Sequence, residues 1–316
     1  MTFNPHHILE AGDTSIRDLK KRDDTLPMLQ TALQESRHNG DKSAEATLLN
    51  NIALFLDNSE EAFHYYLKAL DIQRELGNSS GEAVVLANIA SACAKIAAPQ
   101  KGMPYAQDSL QIAQAVGNLH YQVVALNLLG LLTRQLGRHQ QALPFCEQAY
   151  ALATQSANKL DQINTLAFMA QLYMVTRDPQ KAIAMYDQAL TIVRKTEYRL
   201  IEFDLMTQRI YVYVERLKDF EKAVAYHQES IAFAEKLGEA DALALAYSSY
   251  AETLRQLGKD HLNEALLYAK KGHDTLTSNN LTHDRGGRAV ELYALQVTRL
   301  YALRDNWLYK IFPFLR

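Results

Sequence analysis

The chain has 316 residues, 48% of them apolar, and 33 Lys and Arg stand against 36 Asp and Glu. The net charge of −3 gives no basis for bulk nucleic-acid binding, and two cysteines, Cys93 and Cys146, do not make a disulfide framework. The longest apolar-rich stretch, 83–98, is interrupted by Asn88 and Lys95, so we expect no membrane span. No basic patch followed by an apolar run opens the sequence, and we expect a cytoplasmic protein.

The first forty residues carry two helix patterns. Asp24 to Gly40 has the apolar pattern of a later helix that begins at Ala142, and Ile8 to Lys21 is expected to form a degenerate helix before it. Residues 1–40 are therefore predicted to be an N-terminal cap of two helices.

From residue 41 to 278, pairs of small residues recur seven positions apart. Seven residues are two helical turns, so both members of a pair lie on one helix face, where they allow a neighbouring helix to approach closely. The pairs follow each other at steps of 40, 40, 40, 41 and 42 residues, a period typical of stacked supersecondary units. The six pairs are Ala62/Ala69, Gly102/Ser109, Ala142/Ala149, Ala182/Ala189, Ala223/Ser230 and Ala265/Gly272.

Each unit has the pattern of two helices joined by a short turn. In the clearest unit, residues 118–156, one apolar helix ends near Gly137 and a second carries Pro144 in its first turn. A small residue also recurs on the first helix of most units, whereas the fifth unit has Tyr211 there, for which we expect a wider helix contact. These first-helix positions are Ala53, Ala90, Gly130, Ala170 and Ala251.

The pattern resembles the tetratricopeptide repeat, in the long form of about forty residues found in kinesin light chains. The resemblance is strongest in Leu129-Gly130 with Ala142, Phe145 and Ala149, and in Ala170 with Tyr173, Ala182, Tyr186 and Ala189. It implies an all-α, right-handed α-solenoid, or superhelix, of antiparallel helix pairs, with six repeats over residues 41–278.

The C-terminal region is predicted to close the last repeat. Residues 279–305 read as a capping helix, and residues 306–316 form an apolar tail that contains the only Trp of the chain. The tail could cover the last helix, dock on a second copy, or insert shallowly at a lipid surface through Trp307–Leu315.

The sequence contains no phosphate-binding loop, no HExxH and no CxxC motif. None of the ten histidines stands four residues from another on one helix with a carboxylate companion, so we expect no metal ligation. We therefore expect no enzymatic activity and no cofactor.

The resemblance implies that the first helices line the concave surface. We expect an exposed stripe on these helices, just before and four or five residues after the recurring small residue. The candidate partner-binding residues on this stripe are amides, which pair with a peptide backbone, and cations, which suit carboxylates. They are Asn50, Asn51, Asn88, Lys95, Asn127, Arg134, Gln171, Gln208, Arg209, Arg216 and Arg255. An ordinary solvated helix face remains the alternative. A second set is either an apolar pocket or inter-repeat core, and consists of Leu128, Leu131, Phe168, Met174 and Val175.

These observations predict a protein-binding scaffold that holds a peptide segment of a partner, with acidic character favoured by the arginines. A peptide-sensing regulator and a membrane-peripheral adaptor that uses the C-terminal tail are the alternatives. The chain is expected to be a monomer or a weak homodimer.

Overall fold

A computed structural model describes residues 16–56, 60–278 and 294–300. The chain divides into two compact units, residues 1–192 and 193–316. All regular structure in the described ranges is helical, which confirms the predicted all-α solenoid of helix pairs.

The described part of the first unit contains nine helices, the last of which ends one residue past the unit's boundary. Each helix packs against its successor from α1 to α8, and the first helices of neighbouring repeats also touch, α2 with α4, α4 with α6 and α6 with α8. The helices are α1 (Ile16–His38), α2 (Lys42–Phe55), α3 (Glu60–Glu75), α4 (Ser79–Lys95), α5 (Pro99–Ala115), α6 (Leu119–Gln135), α7 (His139–Gln155), α8 (Lys159–Val175) and α9 (Pro179–Val193).

Helices α4 to α8 are each 17 residues long and begin twenty residues apart. The same kind of turn precedes and follows each of these helices. Each turn contains one residue of positive φ, at position 77, 97, 117, 137, 157 or 177. At Gly117, the Gly117 and Asn118 N–H groups bond back to the preceding helix, and the Asn118 side chain then accepts the Tyr121 N–H. One turn thus provides hydrogen-bond partners for backbone groups at the end of one helix and at the start of the next.

The small-residue pairs lie at the helix contacts, as the pattern predicts. All twelve residues of the six pairs are buried. On the first helix, a Cβ added at Gly130 would lie 3.0 Å from Cys146 Sγ and 3.0 Å from Phe168 Cε1. The close helix spacing therefore depends on the absence of larger side chains.

The second unit contains α10 (Arg199–Val212), α11 (Phe220–Leu237), α12 (Ala240–Leu257) and α13 (Leu262–Ser278). A π-helical turn, Tyr213–Leu217, continues α10. It accommodates the one extra residue that makes the step from Ala182 to Ala223 41 residues long and not 40. The expectation that Tyr211 occupies the small-residue position is wrong. Tyr211 is 57% exposed, and Ile210, one residue earlier, is buried instead.

The structure near both ends of the chain differs from the predicted caps or describes only part of them. Residues 16–38 form one helix where two were expected, because no glycine or asparagine interrupts the chain between Lys21 and Thr25. Near the other end, residues 294–300 are helical and pack on α12, with Leu300 fully buried and a hydrogen bond of 2.7 Å from Ser248 Oγ to Gln296 Oε1. The rest of the predicted C-terminal helix, and the tail 306–316, lie outside the described residues.

Across the described ranges, none of the helices combines the length and the apolar character that crossing a membrane would require.

The packing at Ala149 can be tested by adding volume. Ala149 is fully buried and packs with Val123 and Leu126 of α6. Ala149→Leu should lower the free energy of unfolding by roughly 1–3 kcal/mol, because the helices cannot separate without losing other contacts. Ala151→Leu, at an exposed position of the same helix, is the control and should be nearly neutral in denaturant unfolding. Equal effects at the two sites would contradict the proposed helix contact.

The turn can be tested at Ala157, which has a φ of 55° without being glycine. Ala157→Gly should raise the free energy of unfolding by roughly 0.5–1 kcal/mol, because the left-handed conformation is strained for a residue with a Cβ. Gly117→Ala is the converse variant, because Gly117 has a φ of +70° and an added Cβ would meet nothing within 4 Å. Any decrease in its free energy of unfolding therefore reports backbone strain alone. A destabilised Ala157→Gly variant in thermal unfolding would refute this account.

Candidate functional site

The first helices of unit one carry amides that bridge neighbouring repeats. Asn88 Nδ2 on α4 donates to Asn50 Oδ1 on α2 at 2.8 Å, and Asn127 Nδ2 on α6 donates to Thr165 Oγ1 on α8 at 2.8 Å. Both bonds join residues 38 positions apart. These amides therefore help to fix the spacing of adjacent first helices within the chain itself, independently of a binding partner.

The predicted stripe is only partly open to solvent. Asn50 and Asn51 are 5% and 3% exposed, so the expectation that they are exposed is wrong. The reason is that every residue of α2 from Leu48 to Ala53 is buried. Lys95 is exposed, at the last turn of α4. The half-buried members of unit one are Asn88, Asn127, Arg134 and Gln171.

In unit two, two of the predicted arginines are engaged by their own surroundings. Arg209 is 7% exposed, with its guanidinium 4.0 Å from the Tyr226 ring and 3.6 Å from Glu229, so its expected exposure is also wrong. Arg255 is half-buried and donates through Nε and Nη2 to both carboxylate oxygens of Glu252. This hydrogen bonding to Glu252 raises the pKa of Arg255.

The remaining two candidates of unit two differ in their surroundings. Gln208 is half-buried and donates to Asp204 at 2.6 Å, while Arg216 is exposed on the π-helical turn.

A pocket of about 250 Å³ lies between α6 and α8. Leu128, Leu131 and Phe168 are half-buried. They pack on the repeat core and also line this pocket, so both interpretations, core and pocket, apply to them. Met174 is buried and Val175 exposed, and neither lines the pocket. The complete lining is Val124, Asn127, Leu128, Leu131, Asp161, Asn164 and Phe168.

Asp161 brings a carboxylate to this pocket. Its side chain is nearly buried, and His120 Nδ1 lies 2.8 and 3.0 Å from its two oxygens. The sequence reasoning missed Asp161 and Asn164. Their spacing from Phe168, seven and four residues, places all three on one face of α8 and is the signal that could have found them.

The described residues offer little for catalysis or metal binding. No group of three or more His, Cys, Asp or Glu in these ranges is arranged to hold a metal ion. The thiols of Cys93 and Cys146 are buried, and burial raises the pKa of Cys146 to about 12, so it stays protonated and is a poor nucleophile.

Comparison with known proteins agrees with the repeat architecture. Residues 121–195 match the sequence model of the tetratricopeptide repeat, which confirms the predicted resemblance. This segment contains the α6–α8 pocket. No curated protein is significantly similar in sequence.

Three solved structures show the same fold at low sequence identity. A signal-transduction ATPase with a tetratricopeptide repeat sensor from Pyrococcus horikoshii has a TM-score of 0.61 and 14% identity, and the match covers 90% of this chain but 45% of that one. A Rap protein complexed with competence and sporulation factor has a TM-score of 0.60 and 14% identity, covering 90% and 81%. A putative kinesin light chain from Podosopora anserina with nearly identical repeats has a TM-score of 0.54 and 14% identity, covering 64% and 97%.

Unit two contains a buried histidine whose protonation should destabilise the fold. His227 Nε2 lies 2.8 Å from Thr253 Oγ1, and burial lowers the pKa of His227 from 6.5 to about 4. The unfolded chain therefore binds the proton more tightly than the folded one, so stability present at neutral pH is lost as the pH falls from 6.5 towards 4. At about pH 5 this loss is on the order of 2 kcal/mol.

Thermal unfolding at neutral pH and at about pH 5 tests this prediction. His227→Gln, which stays neutral, should show a smaller drop in Tm on acidification than the parent chain. His64→Gln, at an exposed position, is the control and should keep the parent's pH dependence. An unchanged drop in His227→Gln would contradict the assignment.

Proposed function

We propose that this chain is a non-catalytic scaffold that holds a peptide segment of a partner protein against the first helices of its repeats. The observation that carries the proposal is the α6–α8 pocket, which combines apolar walls with the amides of Asn127 and Asn164. Its volume of about 250 Å³ lies below the roughly 300–1,000 Å³ of small-molecule sites. A peptide side chain suits such a pocket better than a cofactor does.

We propose that the bound segment is acidic, although fewer cations are available to attract it than the sequence suggested. Arg209 and Arg255 already contact Glu229 and Glu252 and have less charge to offer. In unit one, Lys95 is exposed, and the guanidinium of Arg134 lies 5.6 Å from the ring of Phe168, a residue that lines the pocket. These two cations carry the proposed preference for Asp and Glu.

A peptide-sensing regulator is the second candidate. The similarity in fold to a Rap protein complexed with competence and sporulation factor favours it over the membrane adaptor, whose proposed anchor lies outside the described residues. The proposed compartment remains the cytoplasm, which the free thiols Cys93 and Cys146 support.

A charge-reversal experiment tests the scaffold. Peptides selected from a random display library on the intact chain are synthesised, and their affinities are measured by fluorescence anisotropy at low and high salt. The double variant Lys95→Glu/Arg134→Glu should weaken binding by about 3- to 10-fold, and by less at high salt, because charges in contact with solvent contribute modestly and are screened.

The control is Lys68→Glu/Lys101→Glu, which makes the same charge change at exposed positions of the second helices α3 and α5. It should leave the affinities unchanged. Selected peptides that bind equally well to both double variants would contradict the proposed binding face.

A further inference from the structure

Three consecutive turns of unit one carry an excess of positive charge. They follow the first helices α4, α6 and α8 and, with the last helical turn before each, comprise residues 92–98, 132–138 and 172–178. Together these segments contain four cations and one carboxylate, Asp178. We call this surface the basic edge, and its cations are Lys95, Arg134, Arg138 and Arg177.

The charge of the basic edge is not neutralised from within the chain. Asp178 is engaged by Lys181, whose Nζ lies 3.1 Å from Asp178 Oδ2 and whose backbone N–H donates to Asp178 Oδ1. Lys95, Arg138 and Arg177 are exposed, and none of them forms an ion pair with a carboxylate of the described residues. The basic edge therefore presents uncompensated positive charge to the solvent.

The turns at the other ends of these helices lack this excess. They join a second helix to the next repeat, and the corresponding segments are residues 72–78, 112–118 and 152–158. These segments contain one cation and one carboxylate, Arg74 and Glu75, and so have no net charge. The positive charge is therefore a property of one edge and not of every turn in the unit.

The three turns of the basic edge lie side by side. Gln135 Nε2 on α6 donates to the Ala94 carbonyl oxygen of α4 at 2.8 Å, which joins the first two turns. Helix α6 also packs on α8, and the two run parallel because their first turns meet through His120 and Asp161. Packed helices lie about 8–10 Å apart, so the turns repeat at about that distance.

Exposed apolar side chains stand beside these cations. Ile96 follows Lys95, and Val175 precedes Arg177 by two residues; both apolar side chains are exposed. An apolar side chain of a bound segment would remove part of this surface from water. The basic edge thus offers charge and apolar contact area together.

We propose that the basic edge binds an acidic segment of a partner protein, which crosses the three turns in an extended conformation of the polyproline II type. In this conformation every third residue lies on the same side, and three residues advance the chain by about 9 Å. This advance matches the spacing of the turns, so an Asp or Glu at every third position meets a cation at each turn, with apolar residues between. The inference rests on the proposed scaffold function and specifies the path and the acidic spacing of the bound segment.

The charge distribution favours such a segment over a more extended anion. The whole chain has a net charge of −3, so a membrane surface or a long nucleic acid would be attracted at the basic edge and repelled by the rest of the molecule. A short acidic segment contacts the edge alone, and charges more than about 8 Å away are largely screened at physiological salt.

The test uses the intact chain and the peptides selected on it from the random display library. The double variant Arg138→Glu/Arg177→Glu changes two cations that the scaffold test leaves in place. It should weaken the selected peptides by about 3- to 10-fold at low salt and by less at high salt. Lys68→Glu/Lys236→Glu makes the same charge change at exposed positions outside the basic edge, and it is the matched control that should bind normally.

Thermal unfolding shows whether each variant keeps its fold. Arg177 has a φ of 63°, so a second variant, Arg138→Gln/Arg177→Asn, uses asparagine, which tolerates the left-handed conformation. This variant removes the two charges without reversing them and should weaken binding in the same direction.

The spacing of the acidic residues is tested in the peptides. Replacing each Asp by Asn and each Glu by Gln should locate the acidic positions that matter, and these should stand three residues apart. Inserting one alanine between two of them should weaken binding by about 3- to 10-fold, because only one acidic residue can then remain opposite its cation. Undiminished binding of the peptide with the insertion would overturn the proposed conformation.

The failures of the two proposals are distinguishable. Peptides that are weakened by Lys95→Glu/Arg134→Glu but ignore Arg138→Glu/Arg177→Glu would overturn the basic edge and leave the scaffold intact. A library that yields no binder would overturn both. Vesicles of phosphatidylserine and phosphatidylcholine and a single-stranded oligonucleotide are measured alongside. If either of these binds in a manner that Arg138→Glu/Arg177→Glu abolishes while the peptides ignore that variant, the partner is not an acidic protein segment and the assignment is wrong.

Discussion

Close approach between helices is the constraint on which each unit of this protein depends. The small residues at positions such as Ala142 and Ala149 have no side chain beyond Cβ, so neighbouring helices meet almost backbone to backbone. Once that spacing is fixed, the larger residues around it can fill the remaining volume in only a few ways. The repeat core follows from this contact, and so does the shape of the surface above it.

The candidate pocket is a consequence of the same constraint. Gly130 leaves room for the Phe168 ring, and a Cβ at that position would meet the ring at 3.0 Å. Phe168 can therefore lean across from α8 and form one wall while α6 supplies the other. The two helices are held together beside it by the Asn127–Thr165 hydrogen bond. Packing and the proposed recognition thus share the same few side chains.

The second unit shows how the architecture tolerates irregularity. One additional residue near Tyr213 is absorbed as a π-helical turn, after which Lys218 adopts the left-handed conformation that Gly117 and Gly137 adopt in the first unit. The unit also buries polar and charged groups, among them Arg209 against Tyr226 and His227 against Thr253. Such groups are stable when buried only because each has a partner or stays uncharged.

The sequence by itself determined the fold class, the repeat period and the helix contacts, because small-residue spacing and turn residues act locally and recur with every unit. It also identified Leu128, Leu131 and Phe168 as a set with two open interpretations. Only the tertiary structure decided that these residues line a pocket, that Asn50, Asn51 and Arg209 are buried, and that Arg255 is already paired with Glu252. Exposure and pairing depend on residues about forty positions away or on the neighbouring helix, as the Asn50–Asn88 bond shows. A pattern read along one helix carries no information about what the next helix places against it.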